Sequence, residues 1–175
     1  AGPDQSVCGS SATLAANTPS IGTGTWSIIS GAGGTVTTPS SPTSTFTGTA
    51  GVAYTLRWTI ANAPCTPSSD DVVVTLVATP TTAAAGADQV VCGNTTTLAG
   101  NTPTVGTGSW SIIAGVGGSI PSPTSPTSSF SGTVGNTYTL RWTIANAPCA
   151  ASTDDVDITL NPVPAVPTLT VTDPT

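Results

Sequence analysis

Residues 54–65, YTLRWTIANAPC, return without a single change at 138–149. The stretch alternates strictly. Tyr54, Leu56, Trp58 and Ile60 fall on one face of an extended chain, and Thr55, Arg57 and Thr59 on the other. An Asn-Ala-Pro turn then breaks the strand and delivers Cys65. A strand that buries Tyr, Leu, Trp and Ile together must be central to a sheet packed on a second layer. The same holds for Tyr138, Leu140 and Trp142 in the second copy.

The identity extends well beyond this strand. Displaced by 84 residues, the chain lies on itself without a gap: Cys8 meets Cys92, Trp26 meets Trp110, Phe46 meets Phe130 and Asp71 meets Asp155. A fixed period signals an array, and a unit of this size suffices for a small domain. The organisation expected is repeat 1 over 1–77, a linker over 78–84, repeat 2 over 85–161, and a proline-rich connector with the start of a further repeat over 162–175. The linker, ATPTTAA, should be a semi-extended spacer. The chain opens AGPDQ without Met and stops shortly after Leu169-Thr-Val171, as a window cut from a longer polypeptide would.

Within repeat 1, turn signals bound short strands near 4–7, 12–15, 25–30, 35–37, 43–48, around Tyr54, and at 71–77. Seven short strands in such a length is the immunoglobulin-like sandwich pattern, so the fold class expected is all-β: two tandem sandwiches. The copies themselves give the register of the last strand. Val73 becomes Asp157, while Val72 and Val74 become Val156 and Ile158. A Val-to-Asp exchange is cheap only on the solvent face, so Val72, Val74 and Leu76 point inward.

Composition narrows the function classes. Only 6% of residues are charged, against about 25% in an ordinary soluble domain. Yet the regularly spaced Trp and abundant Thr and Val describe strands rather than disorder. A net charge of −6 with only Arg57 and Arg141 as cations argues against a nucleic-acid partner. No apolar run has the length of a membrane span, so membrane insertion is not expected. No His and no Lys are present, so a Ser or Thr nucleophile has no usual base, and no enzyme is expected. No cofactor or metal is expected either: Asp70-Asp71 and Asp154-Asp155 are too few for the several converging carboxylates that calcium takes. Thr-x-Thr runs such as 43–49 lack the long repeated rung of an ice-binding face.

The remaining candidates read as structural. Four cysteines allow three pairings, and their spacing is not that of a metal site. Repeat symmetry favours Cys8 with Cys65 and Cys92 with Cys149 in an oxidising, extracellular setting. Trp26 and Trp58, with Trp110 and Trp142, are in phase with core residues rather than arranged as a sugar-stacking platform. Tyr54 and Tyr138 are placed as in the tyrosine corner of immunoglobulin sandwiches. Arg57 and Asp71 fall on the same outer side of what should be neighbouring strands, as do Arg141 and Asp155, so two cross-strand ion pairs are expected.

The pattern AGPDQSVCG … TLAANTP … GTGTWSIISG … YTLRWTI … C … DDVVV, matched by AGADQVVCGNTTTLAGNTP in the second copy, resembles the immunoglobulin-like or PKD-like repeats of large Bacteroidetes surface proteins. These include gliding adhesins of the SprB type and other type IX secretion substrates. The resemblance implies an extracellular, cell-surface location and a structural stalk or spacer in an adhesin or filament, for gliding or attachment. Its implied partners are neighbouring repeats of the same chain, with surface polysaccharide or other adhesin chains beyond them. No Asp precedes Ser or Thr, so the O-glycosylation motif of that group is absent. The alternative is a glycan- or protein-binding module using loops at one end of the sandwich. The near-identity of loops 22–24 and 62–65 between copies favours the spacer.

Overall fold

The structure is a computed structural model, and it describes residues 1–169. Its regular elements are strands; repeat 1 supplies β1 (Gln5–Cys8), β2 (Ser11–Thr13), β3 (Thr23–Ser30), β4 (Thr35–Val36), β5 (Thr45–Thr47), β6 (Val52–Ala61) and β7 (Ser68–Val77). One sheet has the order β1-β7-β6-β3 and the other β2-β5-β4. β6, the alternating strand, lies between β7 and β3. Its inward residues Tyr54, Leu56 and Trp58 are at most 2% exposed. They pack with Trp26, Val72, Val74 and Leu76 of their own sheet, and with Ala12 and Phe46 of the opposite one. Val73 is 38% exposed between buried Val72 and Val74, which is the register that the Val-to-Asp exchange requires.

Three packing details make this sandwich specific. Trp26 and Trp58 are directly paired across β3 and β6, with ring centroids 5.1 Å apart. Gly24 supplies the room, because a Cβ there would come within 2.0 Å of the Trp58 ring. Tyr54 closes the other end: its hydroxyl accepts from the Thr49 amide at 2.8 Å and donates to the Ala32 carbonyl at 3.1 Å. This bonds the inward phenol to two loop backbones and leaves no buried polar atom on the ring unpaired.

Repeat 2 supplies β8 (Gln89–Cys92), β9 (Thr95–Thr97), β10 (Thr107–Ala114), β11 (Ser129–Ser131), β12 (Thr137–Ala145) and β13 (Ser152–Asn161). Its sheets have the orders β10-β12-β13-β8 and β11-β9. Where repeat 1 has β4, repeat 2 has only the bridge between Ser119 and Ser131. The cause is one residue. The Thr37 amide donates to the Thr45 carbonyl in repeat 1, and its counterpart Pro121 has no N–H to give.

The described residues form two compact units. The first comprises 1–82 with two loops of repeat 2, 103–107 and 144–152; the second comprises 83–102, 108–143 and the residues from 153. The first unit therefore runs past the 1–77 boundary expected for repeat 1. Leu169 belongs to no strand, and the rest of the strand expected to begin there lies outside the described residues.

The cysteine pairing expected from repeat symmetry is corrected. Cys8 is bonded to Cys149, 141 residues away, and Cys65 and Cys92 are exposed free thiols. The reason is the direction of β1. It pairs with β7 in parallel, which sets Cys8 beside Val77 at the far end of β7. Cys65 lies just before β7 begins. Ten residues of strand separate the two positions, about 30 Å at strand rise, and a disulfide spans less than about 7 Å between Cα atoms.

Candidate functional site

The charged residues are nearly all engaged in holding the fold. Arg57 faces Asp71 across β6 and β7 and donates from Nε and an Nη to its two carboxylate oxygens, at 2.7 and 2.8 Å. Arg141 and Asp155 repeat this geometry at the same distances. Each guanidinium holds its carboxyl below the usual carboxylate range, chiefly through the hydrogen bond. Asp4 and Asp88 each accept a backbone amide of the neighbouring strand, from Val73 and Asp157. Asp70 accepts from the nitrogen of Ala1, and Asp154 accepts from the amide of Ala85. Among the described residues no group of three or more His, Cys, Asp or Glu is placed to hold a metal.

Of the sequence candidates, Trp26, Tyr54, Leu56, Trp58, Trp110, Tyr138, Leu140 and Trp142 are all buried. The feature that sequence reasoning missed is a seat for the linker. In the second unit, Ala84 and Asn101 exchange two hydrogen bonds at 2.9 Å: the Ala84 amide donates to the side-chain Oδ1 of Asn101, and the Asn101 amide donates to the Ala84 carbonyl. Asn101 Oδ1 also accepts from the Trp142 indole at 3.1 Å. Ala83 and Ala85 are 8% and 1% exposed. Thus the end of the linker is tied down by hydrogen bonds, with Ala83 and Ala85 buried and Ala84 exposed between them.

In the first unit the start of the linker is held as well. Asn146 Nδ2 donates to the Ala78 carbonyl at 2.7 Å, and the Thr81 amide donates to the Val105 carbonyl at 3.0 Å. The Thr81 hydroxyl accepts from the Thr104 and Val105 amides, both at 2.9 Å. Cys149 Sγ lies 3.5 Å from the Ala78 carbonyl oxygen, and its bond to Cys8 closes this group.

In repeat 1 the counterparts of Asn101, Trp142, Ile144 and Asp154 lie at an open cleft, with Ala1 held on Asp70. Asn17, Trp58, Ile60, Ser68, Ser69 and Asp70 line an open cleft of about 280 Å³. The indole Nε1 of Trp58 is buried without a hydrogen-bond partner among the described residues. Ile21 is 72% exposed, whereas its counterpart Val105 is half-buried. Ile60 is half-buried, and its counterpart Ile144 is fully buried.

No protein-family model matches the chain, and no curated protein matches it. Among solved structures, the chain is similar to the I67–I69 fragment of the titin I-band, at 11% identity and TM-score 0.53 over 91% of this chain and 63% of that one. It is also similar to the insect immune protein hemolin, at 12% identity and TM-score 0.50 over 91% of this chain and 45% of that one. A PKD domain solved in solution matches at 19% identity and TM-score 0.43, over 49% of this chain and 91% of that domain. At these identities the likeness is one of architecture, and the chain has an all-β, immunoglobulin-like fold.

Proposed function

We propose that the chain is a pair of tandem immunoglobulin-like modules, 1–77 and 85–161 joined by 78–84, acting as a spacer in an extracellular cell-surface adhesin or filament. The observation that carries this reading is the Cys8–Cys149 bond, which ties the first strand of one repeat to a loop of the next. A covalent tie between successive repeats resists separation under load. A disulfide also belongs to an oxidising compartment. The linker seat adds to it, since residues 83–85 are held by the second repeat's own Asn101 and Asp154. Hemolin is described with implications for homophilic adhesion, and protein partners of that kind suit this reading. The sequence resemblance to gliding-adhesin repeats gives its finer form.

The test is where the protein sits in its source cells. An antibody raised against this chain should label intact, unpermeabilised cells on surface structures. Labelling only after permeabilisation would overturn the reading. Saturable binding of the purified chain to a glycan array would replace the spacer with a glycan-binding module.

A further inference from the structure

The cleft on repeat 1 and the seated linker on repeat 2 involve the same residues 84 positions apart. Asn17 corresponds to Asn101, Trp58 to Trp142, Ile60 to Ile144, Asp70 to Asp154 and Cys65 to Cys149. In repeat 2 every one of these is engaged. Asn101 holds Ala84 and accepts from the Trp142 indole, Asp154 holds the Ala85 amide, Ile144 is buried, and Cys149 is bonded to Cys8. In repeat 1 the Trp58 indole has no acceptor among the described residues, the cleft is open, and Cys65 is an exposed thiol. A buried indole N–H without an acceptor is costly, and the Asn carbonyl that relieves it in repeat 2 is the one that also grips the linker.

We propose that this end of repeat 1 is a docking site for a further copy of the same repeat. The incoming copy would lay its linker, of the 78–84 type, into the Asn17–Trp58 cleft and bond its own Cys8-type cysteine to Cys65. Ala1 is already held on Asp70 as Ala85 is held on Asp154, so a linker joined ahead of Ala1 enters the cleft directly. Cys92, the counterpart of Cys8, is the matching free thiol for a copy that follows. Propagated through an array, each disulfide would join neighbouring repeats and none would close within a repeat.

The bond needs an oxidant, here a small-molecule disulfide such as oxidised glutathione. The Cys65 thiolate attacks its S–S bond, forming a mixed disulfide and releasing one thiol. The incoming cysteine thiolate then attacks Cys65 Sγ, forming the protein disulfide and releasing the second thiol, and the protons of the two protein thiols end on the released thiols. Only this covalent step rests on the extracellular reading; the docking itself does not.

The experiment is a chain with one extra copy of residues 1–84 placed in register ahead of Ala1. It is prepared with oxidised glutathione and, separately, as a Cys65→Ser variant under reductant. In the oxidised chain, peptide mapping should give the added copy's Cys8 bonded to Cys65, with the Cys8–Cys149 bond retained. Native alkylation of Cys65, complete in the original chain, should then be lost. In the Cys65→Ser arm, the Trp58 indole N–H resonance should move towards that of Trp142 and become protected from exchange. An unmoved, unprotected Trp58 indole in that arm overturns the docking site. A moved indole with Cys65 still alkylated in the oxidised arm overturns the covalent seal alone, together with the oxidising setting it draws on.

Discussion

Cys8 and Cys149 are joined although 141 residues separate them. The parallel β1–β7 pair carries Cys8 to the end of β7, where the Cys149 loop meets the Val77 and Ala78 carbonyls. Non-reducing peptide mapping should therefore recover Cys8 with Cys149, and alkylation before denaturation should label Cys65 and Cys92. In the chain-entropy account, closing so long a loop stabilises by about 5 kcal/mol. Reduction, or Cys149→Ser, should lower the denaturant midpoint accordingly. Recovery of Cys8 with Cys65 would overturn the parallel pairing of β1.

Gly24 should tolerate no side chain. Its ideal Cβ would lie 2.0 Å from Cζ2 of Trp58 and 2.5 Å from Cη2, and the indole is pinned against Trp26. Gly24→Ala should cost about 3 kcal/mol or more, at the upper end of overpacking. Gly108→Ala should behave alike, because its Cβ would come within 2.1 Å of Trp142. Urea unfolding followed by tryptophan fluorescence measures both, and an unchanged midpoint would mean that the indoles are free to move.

How much of this was legible depends on how local the signal is. The alternation of residues 54–60 marked β6 and its buried face, and the exchange of Val73 for Asp157 set the register of β7. That register then placed Arg57 opposite Asp71. The disulfide pairing was not legible, because in a repeat array a Cys8-type and a Cys65-type cysteine have the same spacing signature within a repeat or between neighbours. Strand direction decides between them, and four residues of β1 carry no mark of parallel pairing. The linker seat was hidden for another reason: Ala84 and Ala85 look featureless until Asn101 and Asp154 are seen to accept their amides.

Acid should loosen both ion pairs together. Asp71 and Asp155 have folded pKa values below the ordinary carboxylate value. Their contribution is therefore complete above about pH 4, the unfolded value, and is lost as pH falls through the still lower folded values. The Arg side, raised in the folded state, is lost only at extreme alkaline pH. Both pairs are about 40% exposed, so salt should weaken them. The Asp71→Asn, Asp155→Asn double variant should show a flatter acid limb in denaturation midpoints; an unchanged limb would show that the pairs contribute nothing.

Trypsin should find the native chain resistant. Its cleavage sites are Arg57 and Arg141 alone, and both sit in mid-strand, with β6 flanked on each side by a paired strand. Cutting there requires the strand to leave the sheet, so the rate should follow the open population. Digestion read by intact mass should show uncut protein under native conditions and cleavage after both arginines in urea. Rapid native cutting after Arg57 would contradict the central position of β6.

Mechanical extension separates the two possible bonding patterns most directly. A chain pulled from its ends transmits force through the Cys8–Cys149 bond, so the residues between them carry no load while it is intact. At full extension of about 3.4 Å per residue, that bond hides roughly 480 Å of contour length. In single-molecule force spectroscopy, the oxidised chain should release only the short segments outside the bond. Adding reductant, or substituting Cys149→Ser, should release the hidden length. Bonds closed within each repeat would behave differently, because the linker and its flanks, 66–91, would extend even in the oxidised chain. Equal release with and without reductant would mean that no bond bridges the repeats. The spacer reading would then lose the observation that carries it.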